Sequence, residues 1–348
     1  MISFVWTPSS TWTPPFPLIP NNGGTERFTL GQCRELNKRG IANQIITFYL
    51  GKNDGRKYSP DINFVDFASP KDVGRLDDYV VLVTEPLDVE TTQPPFIMMH
   101  CPPYLDRTKH FYQKNYNNRR LISNSHGSAR LWAEYLGISR GDIEVMYPFA
   151  DKCFGAEPVP RRADGPAQVL FAGRLTIEKG FYTFLEALHF FANEKDIKFN
   201  ILLTGSQNEE FNIISKLVKA HPMLNALSPR TTPKEMAQLL VTQDVVVMPS
   251  HSQLWPEPFG MLSVEAQHSG CQVVASDVGG LPETDCGGLH LFDADNPVKL
   301  ANAIRRAVRK GRMTPTERAT AAKKFTVEQS VDKLLKILKS DLPVYKFS

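Results

Sequence analysis

At 348 residues the chain is longer than a single hydrophobic core usually organises, so two domains are expected. Apolar residues at 42% and charged residues at 22% exclude a disordered or fibrous chain. A net charge of +3 is too mild to imply a nucleic-acid partner, and nowhere do the ~18 consecutive apolar residues of a membrane span occur.

The opening MISFVWTPSS has neither a basic n-region nor a sustained apolar run, which reads as a cytoplasmic protein. Cys33, Cys101, Cys153, Cys271 and Cys286 are widely spaced and form no C-x-x-C pair, so reduced thiols are expected rather than zinc or redox chemistry. Through the first half, β-branched and aromatic runs (ISFVW, NQIITFYL, YVVLVT, PFIMMH, RRLISNS, IEVMYP) alternate with stretches of helical spacing. TERFTLGQCRELNKRG is the clearest helix: Thr25 caps it, Phe28, Cys33 and Leu36 line its buried side, and Gly40 ends it. Strand-helix alternation implies a parallel sheet covered on both faces.

GAEPVPRRADGP, at 155–166, breaks the pattern with Pro, Gly and charge, as a linker does. The division is therefore placed as residues 1–156, 157–325, and a terminal segment 326–348. The second part repeats the alternation with AQVLFAG, a helix from about Lys179, FNILLTG, a helix from about Asn208, DVVVMPS, a helix after Gly260, and CQVVAS. It too reads as a doubly wound α/β domain. In TVEQSVDKLLKIL, Val331, Leu334, Leu335 and Leu338 share one stripe that needs a partner surface.

Open α/β domains bind ligands beyond the carboxyl ends of their strands, so two of them facing one another would make a cleft. Arg174 and Lys179 follow the strand AQVLFAG, and a guanidinium fork beside an ammonium suits a diphosphate. The alternative is a solvated arginine and an ordinary helix-start lysine. The helix after Gly260 offers unpaired amides with partial positive charge as a second phosphate seat. Glu257 before it and Glu265 inside it are carboxylates able to hold vicinal hydroxyls, one on a sugar and one on a ribose. Taken singly, each is equally readable as a helix-cap or helix-surface acid. Gly23 and Gly24 precede a helix where backbone could approach a ligand, or simply make a turn. His100 ends the strand PFIMMH.

These residues carry a resemblance. GGTER, MMH after a strand, FAGRLTIEKG, PS at 249–250, EPFGMLSVEA and VVASDVGGLPE together resemble the retaining GT-B glycosyltransferases of family 4, over nearly the whole chain. The resemblance implies two Rossmann-like domains facing across a cleft, with the C-terminal helix crossing back to the first. It implies a nucleoside-diphosphate sugar donor held by the C-terminal domain, with Arg174 and Lys179 on the diphosphate, Glu257 on the donor sugar and Glu265 on the ribose. Gly173 and the amides of Phe259, Gly260 and Met261 match donor contacts, Gly24 matches a phosphate-touching loop, and His100 matches a histidine on the transferred hexose. No cofactor and no metal are implied, because the fixed cations stabilise the leaving group.

Departures are visible. Only Asp151 of YPFAD lines up with the family's usual Asn-Gly-Val-Asp, LLTGSQNE keeps one glycine, Gly205, and SHSQLWPEPFG is a longer loop than usual. The acceptor is left open as a glycan, a lipid-linked or a small molecule. RTKHFYQKNYNNRR, at 107–120, interleaves five basic residues with Phe111, Tyr112 and Tyr116, and reads either as a solvated helix face or as a peripheral contact with an anionic inner-membrane surface. A GT-B-like sugar-nucleotide epimerase and a non-catalytic sugar-nucleotide binding module are the rival readings.

Overall fold

The computed structural model describes residues 1–6, 24–48, 59–83, 91–103, 107–156, 165–204 and 209–347. They form two compact units, 1–149 with 327–348, and 150–326. The chain passes from one to the other at 149/150, earlier than the Pro-rich break at 155–166. The reason is Phe154, which is fully buried and whose carbonyl accepts from Ser269 Oγ (3.3 Å) and Arg318 Nη2 (3.2 Å), both in the second unit.

In the first unit the elements run β1 (Ile2–Trp6), α1 (Gly24–Lys38), β2 (Asn43–Phe48), β3 (Phe64–Phe67), β4 (Tyr79–Val83), β5 (Phe96–Met99), α2 (Lys109–Tyr116), β6 (Arg120–Ser123), α3 (His126–Leu136) and β7 (Ile143–Val145). The strands form a seven-stranded parallel sheet in the order β3-β2-β1-β4-β5-β6-β7. Successive residues supply opposite faces: Phe4, Ile45 and Val81 enter one core while Val5, Ile46 and Leu82 enter the other. This is why the strands read as unbroken apolar runs rather than alternating ones.

Phe28, Cys33 and Leu36 of α1 are buried in the first of these cores. Gly40, at φ +69°, ends the helix, its N–H meeting Asn37 O. Thr25 does not cap α1, because the helix already starts at Gly24 and the Thr25 carbonyl accepts from Thr29 Oγ1 (3.0 Å).

The second unit runs α4 (Cys153–Ala156), β8 (Ala167–Phe171), α5 (Phe181–Leu188), β9 (Ile197–Leu202), α6 (Glu209–Ala220), β10 (Leu224–Leu227), α7 (Pro233–Leu240), β11 (Val245–Met248), α8 (Met261–His268), β12 (Gln272–Ser276), β13 (Leu289–Phe292), α9 (Pro297–Lys310) and α10 (Pro315–Ala321). Its sheet is parallel in the order β10-β9-β8-β11-β12-β13. The order reverses between β8 and β11, the kind of switch point where open sheets leave room for a ligand.

The last helix, α11 (Val327–Leu338), belongs to the first unit, where Val331, Leu334 and Leu338 join the core beneath α1. Its stripe thereby finds the surface it lacks in isolation, each fully buried aliphatic side chain contributing about 1.5–3 kcal/mol. Polar contacts fix the register: Gln32 Nε2 donates to Ser330 Oγ (3.2 Å), and Lys333 pairs with Glu144 (2.6 Å).

The basic stretch 107–120 is less exposed than its composition suggests. Tyr112 and Tyr116 are core residues packed on Trp132, with ring centroids 5.0 and 5.3 Å away. Arg119 is 6% exposed and bridges by its backbone to Tyr345. Of its five cations Lys109 and Lys114 are exposed and Arg107 and Arg120 half-buried, and of its three aromatic residues only Phe111 is partly exposed.

Candidate functional site

A pocket of about 130 Å³ opens at the carboxyl ends of β8 and β11, at the switch point. Its first wall follows β8. Gly173 O accepts from Thr204 Oγ1 (2.6 Å) and Leu175 N donates to Thr204 O (3.2 Å), so Arg174 leaves the strand in a fixed direction. A single 3-10 turn, Ile177–Lys179, then ends at Gly180 with φ +70°. A side chain at Gly180 would put its Cβ 1.7 Å from Pro249 O, so only glycine lets this turn press against the loop after β11.

That contact brings Lys179 to Glu257. Lys179 Nζ stands 2.5 Å from Glu257 Oε2, with side chains 18% and 14% exposed, and Ser250 Oγ donates to the same carboxylate oxygen (3.2 Å). Ser250 is itself held by Ser276 Oγ, which donates to its carbonyl (2.8 Å). Behind Glu257 lies the turn after β12. Gly280 N donates to Glu257 O (2.8 Å), and a Cβ on Gly279, at φ +56°, would stand 2.2 Å from that oxygen. DVGGLPE is thus the clamp that seats the Glu257 backbone.

Gly260, at φ +100°, turns the chain into α8, which begins without a side-chain cap. Its leading amides therefore present partial positive charge beside Lys179 at the pocket, a suitable environment for an anion.

Gly173, Lys179, Glu257, Gly260 and Met261 line this pocket together. Arg174 stands beside it, its side chain 48% exposed, 3.5 Å from Glu178 Oε1. The ring of Phe259 is 2% exposed and packs on Phe325 (5.3 Å). Glu265 is 2% exposed within α8 and is not part of this pocket's lining. Asp151, the residual match in YPFAD, accepts from Cys153 N (2.9 Å) and starts α4.

In the first unit, His100 follows β5 with Phe28 edge-on to its ring (5.2 Å). Its Nε2 is buried and has no hydrogen-bond partner among the described residues. Burial pushes the imidazole down to about 3, so it is a neutral group at physiological pH. Gly24 is exposed at the start of α1. Gly23 and Gly205 lie outside the described residues.

Sequence reasoning gave Ser250, Gly180 and Gly279 no role beyond the motifs that contain them, and missed Trp255 as part of the site. The glycines were visible as punctuation directly after a turn or strand, but their partners are 69 and 22 positions away in the chain. Among the described residues no group of three or more His, Cys, Asp or Glu could hold a metal ion, and no helix is long and apolar enough to cross a membrane.

Residues 156–338 match the family model described as Glycosyl transferases group 1. The chain belongs to this family. Among curated relatives, it is 32% identical over 174 residues to a D-inositol 3-phosphate glycosyltransferase of Pseudarthrobacter chlorophenolicus, covering 47% of this chain and 40% of that protein. It is 30% identical over 158 residues to a glycogen synthase of Mycobacterium tuberculosis, covering 45% of this chain and 35% of that protein. The chain thus matches less than half the length of these relatives. Solved structures agree over nearly all of it: a glycosyltransferase from Rickettsia africae (TM-score 0.72, 17% identity, 97% of each chain) and HepE from Anabaena in complex with UDP (TM-score 0.68, 18% identity, 97% and 99%). At these identities the likeness establishes the fold, which is GT-B with two parallel-sheet α/β domains.

Proposed function

We propose that the protein is a retaining glycosyltransferase, transferring a hexosyl-type sugar from a nucleoside-diphosphate sugar to an acceptor hydroxyl in glycan or glycolipid synthesis. The observation that carries this reading is the Lys179–Glu257 pair at the head of α8, which puts a cation, a hydroxyl-binding carboxylate and open helix amides around one pocket. Family membership supports it, as does the UDP held by the Anabaena neighbour; UDP is therefore the first nucleotide to test.

In this reading the diphosphate lies between Lys179, Arg174 and the first amides of α8, while Glu257 holds sugar hydroxyls. The bond from the anomeric carbon to the phosphate oxygen breaks, the acceptor oxygen bonds to the same face of that carbon, and the acceptor proton passes to the departing phosphate. Negative charge grows on that phosphate in the transition state, where prearranged cations and amides act most strongly. Glu265 contacts the ribose, Gly173 and the amides of Phe259, Gly260 and Met261 contact the donor, and neutral His100 hydrogen-bonds the transferred hexose. The fixed cations make a divalent metal dispensable.

Incubation with UDP-, GDP- and ADP-sugars, alone and with acceptor hydroxyls, tests the reading. Transfer with the anomeric configuration kept, read by proton NMR, and survival of activity in EDTA are expected. Conversion of the sugar with donor alone would assign an epimerase, an unchanged donor under all conditions a binding module, and an inverted linkage a different mechanism.

A further inference from the structure

The loop between β11 and Glu257 carries a tryptophan whose ring meets both cations of the site. Arg174 Cζ lies 5.4 Å and Lys179 Nζ 5.1 Å from the Trp255 ring centroid. Both distances are within the range in which a cation is attracted to an indole face. We propose that Trp255 is a positioning residue for the donor diphosphate, holding Arg174 and Lys179 as a pair at the rim of the pocket. This rests on the reading that a nucleoside diphosphate occupies it.

The loop is built to keep the ring there. Ser252 Oγ and N both donate to Asp295 Oδ2 (2.5 and 3.2 Å). His251 Nδ1 accepts from Gln253 N (3.2 Å) and Leu254 N (3.3 Å), and Trp255 N donates to His251 O (3.3 Å). His251 N in turn donates to Glu178 O (3.0 Å), tying the loop to the turn that delivers Lys179. The extra length of SHSQLWPEPFG thus has a physical use. Arg174, half-exposed, would otherwise sample many rotamers, and fixing it before an anion arrives reduces the entropy lost on binding. A diphosphate beside the two cations changes the electric field at the ring they stay packed against, so the indole reports its arrival.

The test is a titration of UDP, GDP and ADP onto the wild type, Trp255→Phe and Trp255→Leu by calorimetry, with intrinsic fluorescence followed in parallel. For the nucleotide the wild type binds, Trp255→Leu should weaken binding on the order of tenfold, the cost of ordering two long cationic side chains that no ring holds in advance. Trp255→Phe should stay within about threefold of wild type while losing the fluorescence change, a rescue that requires only an aromatic face. Equal affinity in Trp255→Leu and wild type, or a wild type that saturates without any change in fluorescence, would overturn the inference. If Trp255→Leu does not fold, the fluorescence change and its loss in Trp255→Phe decide the matter. Failure of all three nucleotides to bind the wild type overturns the donor reading itself, and this inference with it.

Discussion

Lys179 and Glu257, 78 positions apart in the chain, meet at 2.5 Å because a glycine turn on one side and a glycine clamp on the other press their backbones together. An ammonium already paired with a carboxylate retains two N–H donors for a ligand, so the pair is poised to hold an anion and a hydroxyl side by side.

Lys179→Ala and Arg174→Ala should each reduce turnover about a hundredfold or more, the usual consequence of removing one fixed charge that faces a leaving group, roughly 3 kcal/mol. Arg174 is half-exposed, so its loss should leave the melting temperature within about 2 °C of wild type. Steady-state kinetics beside thermal melts check this; near-normal turnover in both variants would remove the cations from the mechanism.

The glutamates should separate in kinetics. Glu257→Gln keeps the shape but removes the charge next to Lys179, and should lower kcat, whereas Glu265→Gln should chiefly raise the donor KM. The reverse pattern would exchange their roles.

Gly180→Ala and Gly279→Ala should each destabilise by about 3 kcal/mol or more, because the added Cβ would stand 1.7 and 2.2 Å from a backbone oxygen. Gly137, at φ +76° and ψ +38° with only the flexible end of Lys109 (Nζ, 3.4 Å) near its would-be Cβ, is the control: Gly137→Ala carries only the left-handed strain, ~1 kcal/mol. Urea unfolding of the three variants measures the difference, and equal losses at all three sites would refute the packing argument.

Acid should loosen the protein before its carboxylates titrate. Burial pushes His100 down to about 3 and His268 down to about 4, the carbonyls of Lys324 and Ala321 opposing the latter shift. His221 and His290 move in the same direction. A base with a depressed folded pKa binds fewer protons folded than unfolded, so its contribution is complete above pH 6.5 and is lost as pH falls toward the folded value. Each of the two buried histidines should cost up to about 1.4 kcal/mol per pH unit below pH 6. Urea unfolding at pH 7.5, 6 and 5 checks the slope, and His268→Gln should flatten it; stability that is level from pH 7.5 to 5 would count against buried neutral imidazoles.

The sequence by itself determined the two sheets, because strands buried on both faces must be written as apolar runs, and it named Gly173, Lys179, Glu257, Gly260 and Met261 of the pocket lining, because chemistry follows directly after strands in an open α/β domain. It did not show β3, β10 or β13, edge strands of four residues whose mixed stretches FVDF, LNAL and LHLF leave too short a period to read. Thr25 looked like a helix cap because capping is a local pattern, yet the helix begins one residue earlier. Arg119, Tyr112 and Tyr116 looked like a surface because composition carries no direction, and only the packing on Trp132 and Tyr345 turned them inward. Likewise the meeting of Lys179 with Glu257, the Gly279 clamp and the ring of Trp255 against both cations were decided by tertiary structure alone. Each is a contact between backbone or side-chain atoms of different loops, and the distance between loops is set by how the strands stack in the sheet.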